Sequence, residues 1–300
     1  MMDFLIATPV LNGVGFISEC LDSVATAFRD FEYLHVVVDG GSLDGTLELL
    51  RERSGTRLRV VEAPGTSMFQ ALNIAIRVRS SCLFYQLNAD DLILPGAPRR
   101  VWHIFEQSPN LVMLTGACLT IDMRSGTCKV KFPLGDQWSV KRIGVNLFIS
   151  QPSTFVRHAA LIAENGFHES YQYAGDTELW LRLIEHGYSG IAVTDLLSVD
   201  RLHGGSARLS PKHDEELAHV RRRYGGALAS SRVQLFRNSM AYAVHNVICL
   251  GRGLGPCGNA VRYVGSPIRR MISFLFSGAA SIELAESGGS IHIPIKGRIV

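Results

Sequence analysis

The feature that most constrains the fold is an alternation of short apolar runs and helical stretches between Phe4 and Asp91. Phe4 to Thr8 is an apolar run that stops at Pro9, as a buried strand does. Val14 to Phe28 has helical spacing, with Phe16, Cys20, Leu21, Val24 and Phe28 along one side. Leu34 to Val38 is a β-branched run closing on the turn signal Asp39-Gly40-Gly41-Ser42. Asp44 to Glu52 reads as helix, Leu58 to Glu62 as strand, Ser67 to Val78 as helix, and Leu83 to Leu87 as a strand running into Asn88-Ala89-Asp90-Asp91. Strand and helix at this spacing predict an α/β fold, a mostly parallel central sheet with helices on both faces. In such sheets ligands bind outside the carboxyl ends of the strands. Thr8, Asp39 and the stretch Asn88 to Asp91 fall at such ends, which marks a candidate site before any motif is considered.

The remaining chain is less regular. Leu111–Thr115 and Ala117–Met123 read as strands, Ile143–Ser150 and His158–Glu164 as helical. Glu178–His186 reads as a helix with Leu179, Leu183 and Ile184 on one side and Gly187 closing it. Beyond Pro211 the composition shifts to Arg, Ala and Leu with glycine breaks, predicting helices near 212–224 and 228–250 and then a loose tail. The division expected is a domain over residues 1–210 and a helical, basic C-terminal extension over 211–300.

Composition narrows the function classes. With 47% hydrophobic and 19% charged residues, the chain buries a core rather than remaining disordered. A net charge of +3 is too small to argue for nucleic acid, so no such partner is expected. Basic residues do gather beyond Arg221, where the acids are Glu283 and Glu286. That tail suits the anionic inner face of a membrane, or equally a solvated helix surface. No leader pattern and no apolar stretch of spanning length is visible, Met271 to Ala280 being too short. The expectation is a cytoplasmic protein with room for peripheral contact to the inner face of the membrane. The six cysteines form no C-x-x-C pair; Cys20 and Cys82 read as buried core thiols of a reducing compartment.

Four motifs can carry chemistry. Asp90 and Asp91 place two carboxylates at a strand end with no basic residue before Arg99. Hard divalent cations take oxygen ligands, so this pair can hold one together with substrate phosphates; alone it reads equally as a helix cap. In Asp39-Gly40-Gly41-Ser42-Leu43-Asp44-Gly45-Thr46 the glycines admit a ligand to the backbone and Asp39 can accept a base N–H, or Ser42 and Asp44 can cap the next helix. The segment is neither a P-loop nor a dinucleotide fingerprint. In Ala174-Gly175-Asp176-Thr177-Glu178-Leu179-Trp180, Asp176 is placed to accept a proton as a general base, or to cap its helix with Glu178 favouring the dipole. In Arg201-Leu202-His203-Gly204-Gly205-Ser206, His203 can ligate the metal or touch a diphosphate, or be a plain exposed loop residue.

Taken in order, Thr8-Pro9-Val10-Leu11-Asn12, Val38 to Thr46, Asn88 to Asp91 and Ala174 to Arg182 resemble the family 2 glycosyltransferases, over about residues 3–206. The resemblance implies an inverting enzyme of the A-type glycosyltransferase fold, a sheet of the nucleotide-diphospho-sugar transferase type. It implies that Thr8, Pro9 and Asn12 line the nucleotide pocket, that Asp39 contacts the base, and that Asp90 lies by the ribose and the metal. Asp91 then binds a Mn or Mg divalent cation, with His203 as a further ligand, and Asp176 is the catalytic base. Gln151 falls on the acceptor side, where the family has a His-Gln pair and this chain has Ser150-Gln151. Gln70 stands where many members have an aspartate, in Ser67-Met68-Phe69-Gln70-Ala71-Leu72-Asn73.

The implied activity is transfer of a single sugar from a nucleotide-diphosphate sugar donor to a glycan or lipid-linked acceptor in cell-surface polysaccharide biosynthesis. The Gln-x-x-Arg-Trp motif of processive members is missing, Gln234-Leu235-Phe236-Arg237-Asn238 lacking the Trp. The alternative is a catalytically inactive nucleotide-sugar or glycan-binding protein of the same fold. A nucleotidyltransferase is disfavoured, because Asn12-Gly13-Val14-Gly15 offers no basic residue.

Overall fold

The structure is a computed structural model and describes residues 3–133, 149–225, 281–286 and 289–294. The first part alternates β1 (Asp3–Val10), α1 (Ile17–Ala27), β2 (Glu32–Asp39), α2 (Thr46–Arg53), β3 (Leu58–Glu62), α3 (Met68–Ile76) and β4 (Leu83–Gln86). These four strands are parallel, in the order β3-β2-β1-β4. Then come β5 (Leu92–Ile93), α4 (Ala97–Gln107), β6 (Met113–Asp122), β7 (Thr127–Lys131), a 3-10 turn (Gln151–Ser153), β8 (Thr154–Arg157), α5 (His158–Ala163), α6 (Gly175–Glu185), β9 (Gly190–Leu202) and α7 (Pro211–Gly225). The sheet continues past β4 as β8-β6-β9-β5, with β7 paired to β6. This second half is mixed: β8 runs antiparallel to β4 and β6, while β9 runs parallel to β6.

Strand β1 shows why helices cover both faces. Its residues alternate across the sheet, and all are apolar from Phe4 to Ala7. Leu5 and Ala7 join one cluster with Phe69, Leu72 and Ala75 of α3 and Leu179 and Leu183 of α6. Phe4 and Ile6 join another with Cys20 and Val24 of α1, Phe28 just beyond it, and Val101 and Phe105 of α4. Phe4 sits among the rings of Phe28, Phe31 and Trp102, edge to face at 5.0–5.9 Å.

Several expected elements change shape. The two strands expected on either side of Gly116 are one strand, β6, with a bulge against β9 at that glycine. A Cβ there would lie 2.4 Å from Leu197 Cδ1, so only glycine lets the strands approach. The helix expected from Glu178 begins three residues earlier, at Gly175. Most of the helix expected over 143–150 lies outside the described residues, as does all of the one over 228–250; Ile149 and Ser150 are not helical. Helix α7 matches the expected 212–224. It is not separate from the first domain, however: Val220 and Tyr224 are buried in the cluster that holds α3 and α6, so the core extends beyond residue 210. The tail, expected loose, contains an antiparallel hairpin, Ser281–Glu286 with Gly289–Pro294. Cys20 is buried, but Cys82, read as a buried core thiol, is exposed just before β4 begins at Leu83. Among the described residues no helix is long and apolar enough to cross a membrane.

The loop that precedes α6 is tied to α3 by one buried amide. Asn73 Nδ2 donates to the Phe167 carbonyl at 2.8 Å, and Asn73 Oδ1 accepts the Phe167 N–H at 2.9 Å. Replacing the amide leaves both backbone groups without partners in a dry place. Asn73→Ala is expected to cost about 2–4 kcal/mol, read as a lower midpoint in urea unfolding with unchanged slope.

Candidate active site

The carboxyl ends of β1, β2 and β4 open on one side, and the loops there are cross-linked. Asn12 has a left-handed backbone (φ 53°), and its side chain accepts the Leu43 N–H at 2.9 Å while its own N–H donates to Ser42 Oγ at 2.8 Å. Thr46 Oγ1 accepts the Gly13 N–H, and Asp44 accepts the Val14 N–H. Asn12 is thus a buckle between the two loops, and it remains exposed. Pro9 is half-buried. Thr8 departs from its expected role: its side chain is fully buried and forms a 2.8 Å hydrogen bond with His35 Nε2. It supports the strand end from beneath and lines no surface.

Asp39 is buried at the end of β2. Its Oδ1 accepts the N–H groups of Gly41 and Ser42 at 2.9 and 2.8 Å, which fixes the carboxylate. Its Oδ2 is buried without a partner among the described residues. A fixed acceptor left open in this way is what a ligand N–H requires.

The acidic pair divides its duties. Asp91 is buried, and its Oδ1 accepts the Arg201 N–H at 3.1 Å. Burial, then the charges of Asp90 and Asp200, push its pKa well above the usual carboxylate range. Asp90 is partly exposed, and its Oδ2 lies 3.1 Å from His203 Nε2. Asp90 and His203, not Asp91, are therefore the pair that faces outward. Their surroundings fix them. The His203 ring stacks on Phe16 at 4.5 Å, and the Arg201 guanidinium lies 5.0 Å from the same ring. The buried Arg201 side chain donates to the Asp90 carbonyl and pairs with Glu19 of α1. Asp200 binds Arg208 at 2.6 Å, Thr120 at 2.9 Å and Lys131 at 3.4 Å. Burial acts to raise the Asp200 pKa, but the positive charges of Arg208 and Lys131 outweigh it and the pKa is lowered.

No group of three or more His, Cys, Asp or Glu that could enclose a metal occurs among the described residues. One carboxylate and one imidazole do fit a hard cation that takes its other ligands from water and phosphate oxygens. For Nε2 of His203 to ligate, the ring takes the tautomer with its proton on Nδ1, giving up a long 3.2 Å contact from the Gly205 N–H.

Gln151 closes a chain of amides. Its Nε2 donates to the Gln86 carbonyl at 2.8 Å, its Oε1 accepts from Asn88 at 3.1 Å, and Asn88 accepts from Gln86 at 3.2 Å. Gln70 also has local work: with Ser67 it forms a reciprocal cap on α3.

Asp176 lies in the first turn of α6, half-buried, and its Oδ1 accepts the Thr177 N–H at 2.6 Å. Burial raises its pKa above the usual carboxylate value, against the pull of the Thr177 hydrogen bond and the charges of His213 and Arg208. The field of Arg208 also reaches Asp91. No long-range pattern in the sequence announced the roles of Arg201, Phe16 or Arg208.

Residues 5–130 match the family model of glycosyl transferase family 2. The family resemblance read from the motifs therefore holds over this segment. The match takes in Asp39, Asp90 and Asp91 and ends before Gln151, Asp176 and His203. No curated protein matches the chain. Solved structures match its fold. S. aureus TarS residues 1–349 in complex with UDP aligns with a TM-score of 0.56 at 16% identity, covering 92% of this chain and 75% of that one. The same fragment with UDP-GlcNAc gives 0.55 at 16%, covering 97% and 99%. The mannosyltransferase PcManGT from Pyrobaculum calidifontis, in complex with GDP-Man and Mn2+, gives 0.54 at 15%, covering 93% and 88%. The architecture is thus the nucleotide-diphospho-sugar transferase type.

The Thr8–His35 contact generates a pH prediction. Burial lowers the His35 pKa from 6.5 to about 3. The unfolded chain binds this proton and the folded one does not, so stability is present above pH 6.5 and is lost as pH falls from there toward 3. The loss attributable to His35 has a slope of up to about 1.4 kcal/mol per pH unit. Urea unfolding between pH 7 and 4.5 is expected to show a shallower acid limb in His35→Gln.

Proposed function

We propose that the protein is an inverting glycosyltransferase that moves a single sugar from a nucleotide-diphosphate sugar to a glycan or lipid-linked acceptor in cell-surface polysaccharide biosynthesis. The observation that carries the reading is the outward-facing pair of Asp90 and His203, 3.1 Å apart, at the same end of the sheet where Asp39 keeps a buried oxygen without a partner among the described residues. In this reading Asp39 accepts an N–H of the base and Asn12 holds the loop over it. Asp90 and His203 hold a Mn or Mg ion, and Asp91 keeps the turn in place from within. The ion, when bound, neutralises the charge that develops on the departing diphosphate.

Asp176 then accepts the proton of the attacking hydroxyl, whose oxygen bonds to the anomeric carbon as the bond to the diphosphate breaks. Attack from the face opposite the leaving group inverts that carbon. A raised pKa makes Asp176 a better proton acceptor than an ordinary carboxylate. Gln151 orders Asn88 behind the acidic turn and stands on the acceptor side. The basic region beyond Arg221 would keep the catalytic core beside a membrane-bound acceptor.

Calorimetry of nucleoside diphosphates with and without Mn2+ tests the donor side. Binding of one nucleotide that needs Mn2+ is expected, weakened at least about tenfold in Asp90→Asn and His203→Ala and kept in Asp91→Asn, since a loss of one ligand of a bound ion costs that much or more. Loss in Asp91→Asn alone would return the ion to Asp91. Metal-dependent binding without turnover of any donor would favour an inactive binding protein.

A pH profile tests the base. The rate is expected to fall on the acid side as Asp176 takes up its proton, with a midpoint above that of an unperturbed carboxylate. Asp176→Asn is expected to lose about 10²–10⁴-fold in rate and to leave nucleotide affinity unchanged. An acid limb that persists in Asp176→Asn would assign it to another group.

A further inference from the structure

Helix α6 begins without a side-chain cap from its own chain neighbourhood: Ala174 occupies the cap position and has none to offer. The missing acceptor comes from α7, over forty residues away. Glu216 turns its carboxylate onto three successive backbone N–H groups. Oε1 accepts from Gln172 at 2.9 Å, and Oε2 accepts from Tyr173 at 2.8 Å and from Ala174 at 3.0 Å. Hydrogen bonds to an ionised acceptor are the strong ones, and a negative charge at a helix N-terminus is favoured by the helix dipole. Two residues beyond this clasp stands Asp176.

Helix α7 is itself firmly seated. Leu217, Val220 and Tyr224 follow helical spacing into the core, and Tyr224 Oη donates to the buried Glu178 of α6 at 2.6 Å. The start of α6 is pressed down from the other side as well. A Cβ on Gly175 would lie 2.7 Å from the Phe69 ring, so the backbone carrying Asp176 has little room to move.

We infer that Glu216 is a positioning residue for Asp176: by clasping the N–H groups of residues 172–174, helix α7 sets the direction in which the carboxylate of α6 points. Residues beyond 210 then complete the site instead of merely following it. This rests on the reading of Asp176 as the base.

The test uses the full chain and a panel of nucleotide sugars including UDP-GlcNAc and GDP-mannose with Mn2+. It reads release of the nucleoside diphosphate, thermal unfolding and the pH profile. Glu216→Ala is expected to lower kcat at least about tenfold with donor KM within about threefold of wild type, since a displacement near 1 Å at a reacting group costs up to 10²-fold. Its unfolding temperature should stay above the assay temperature, and Glu215→Ala beside it should behave as wild type. If Glu216→Ala fails to fold, Glu216→Gln, which keeps the shape and one acceptor oxygen, should show the same split to a smaller degree. Wild-type kcat in these variants, with Asp176→Asn inactive, would overturn the positioning role and leave the base intact. Full activity in Asp176→Asn, or no turnover of any donor by the wild type, would remove the base and its positioning residue together.

Discussion

The site depends on a buried guanidinium. Arg201 is almost fully enclosed, and a charge taken out of water is costly unless its donors are used. Nε donates to the Asp90 carbonyl, Nη1 pairs with Glu19 and the guanidinium faces the Phe16 ring, while Nη2 is buried without a partner among the described residues. Its backbone N–H serves Asp91. One residue of β9 thereby connects the start of α1, the acidic turn after β4 and, two positions on, the His203 ring. The geometry of the acidic turn is thus set from three elements at once, and the same positive charge offsets the carboxylates crowded there.

That crowding explains why adjacent aspartates differ. Asp91 points inward and pays the desolvation cost of a carboxylate, which raises its pKa; Asp200 is also enclosed but has Arg208 and Lys131 beside it, and its pKa falls. Asp90 points outward, against His203. The doublet is divided by the turn itself: the Asp91 N–H closes on the Asn88 carbonyl and its carboxylate on the Arg201 N–H, while the Asp90 carboxylate is turned to His203.

Much of the first half was legible. The runs Phe4–Thr8, Leu34–Val38, Leu58–Glu62 and Leu83–Leu87 became β1 to β4, since buried parallel strands are apolar throughout and leave little ambiguity. Later elements were harder. Strand β9 contains Asp195, Asp200 and Arg201 among its apolar residues, and its polar members are satisfied by partners far off in sequence, which no local pattern can show. The split of β6 at Gly116 was a reasonable reading of a glycine that turned out to mark a bulge. Thr8 was placed in the pocket because its strand end is there; the sheet instead turns its side chain inward to His35.

What the sequence determined by itself is the order of elements and the chemical types at the strand ends: an aspartate after β2, a pair after β4, an aspartate opening α6. Local periodicity and turn chemistry are enough for that. What only the tertiary structure decided is which of these groups face a ligand and what holds them. Asp90 rather than Asp91 meets His203, Asn12 clasps the second loop, and Glu216 clasps the turn before Asp176. Each of these contacts spans thirty residues or more of chain, and hydrogen bonds of that range are fixed by the packing of strands and helices, not by neighbours in sequence.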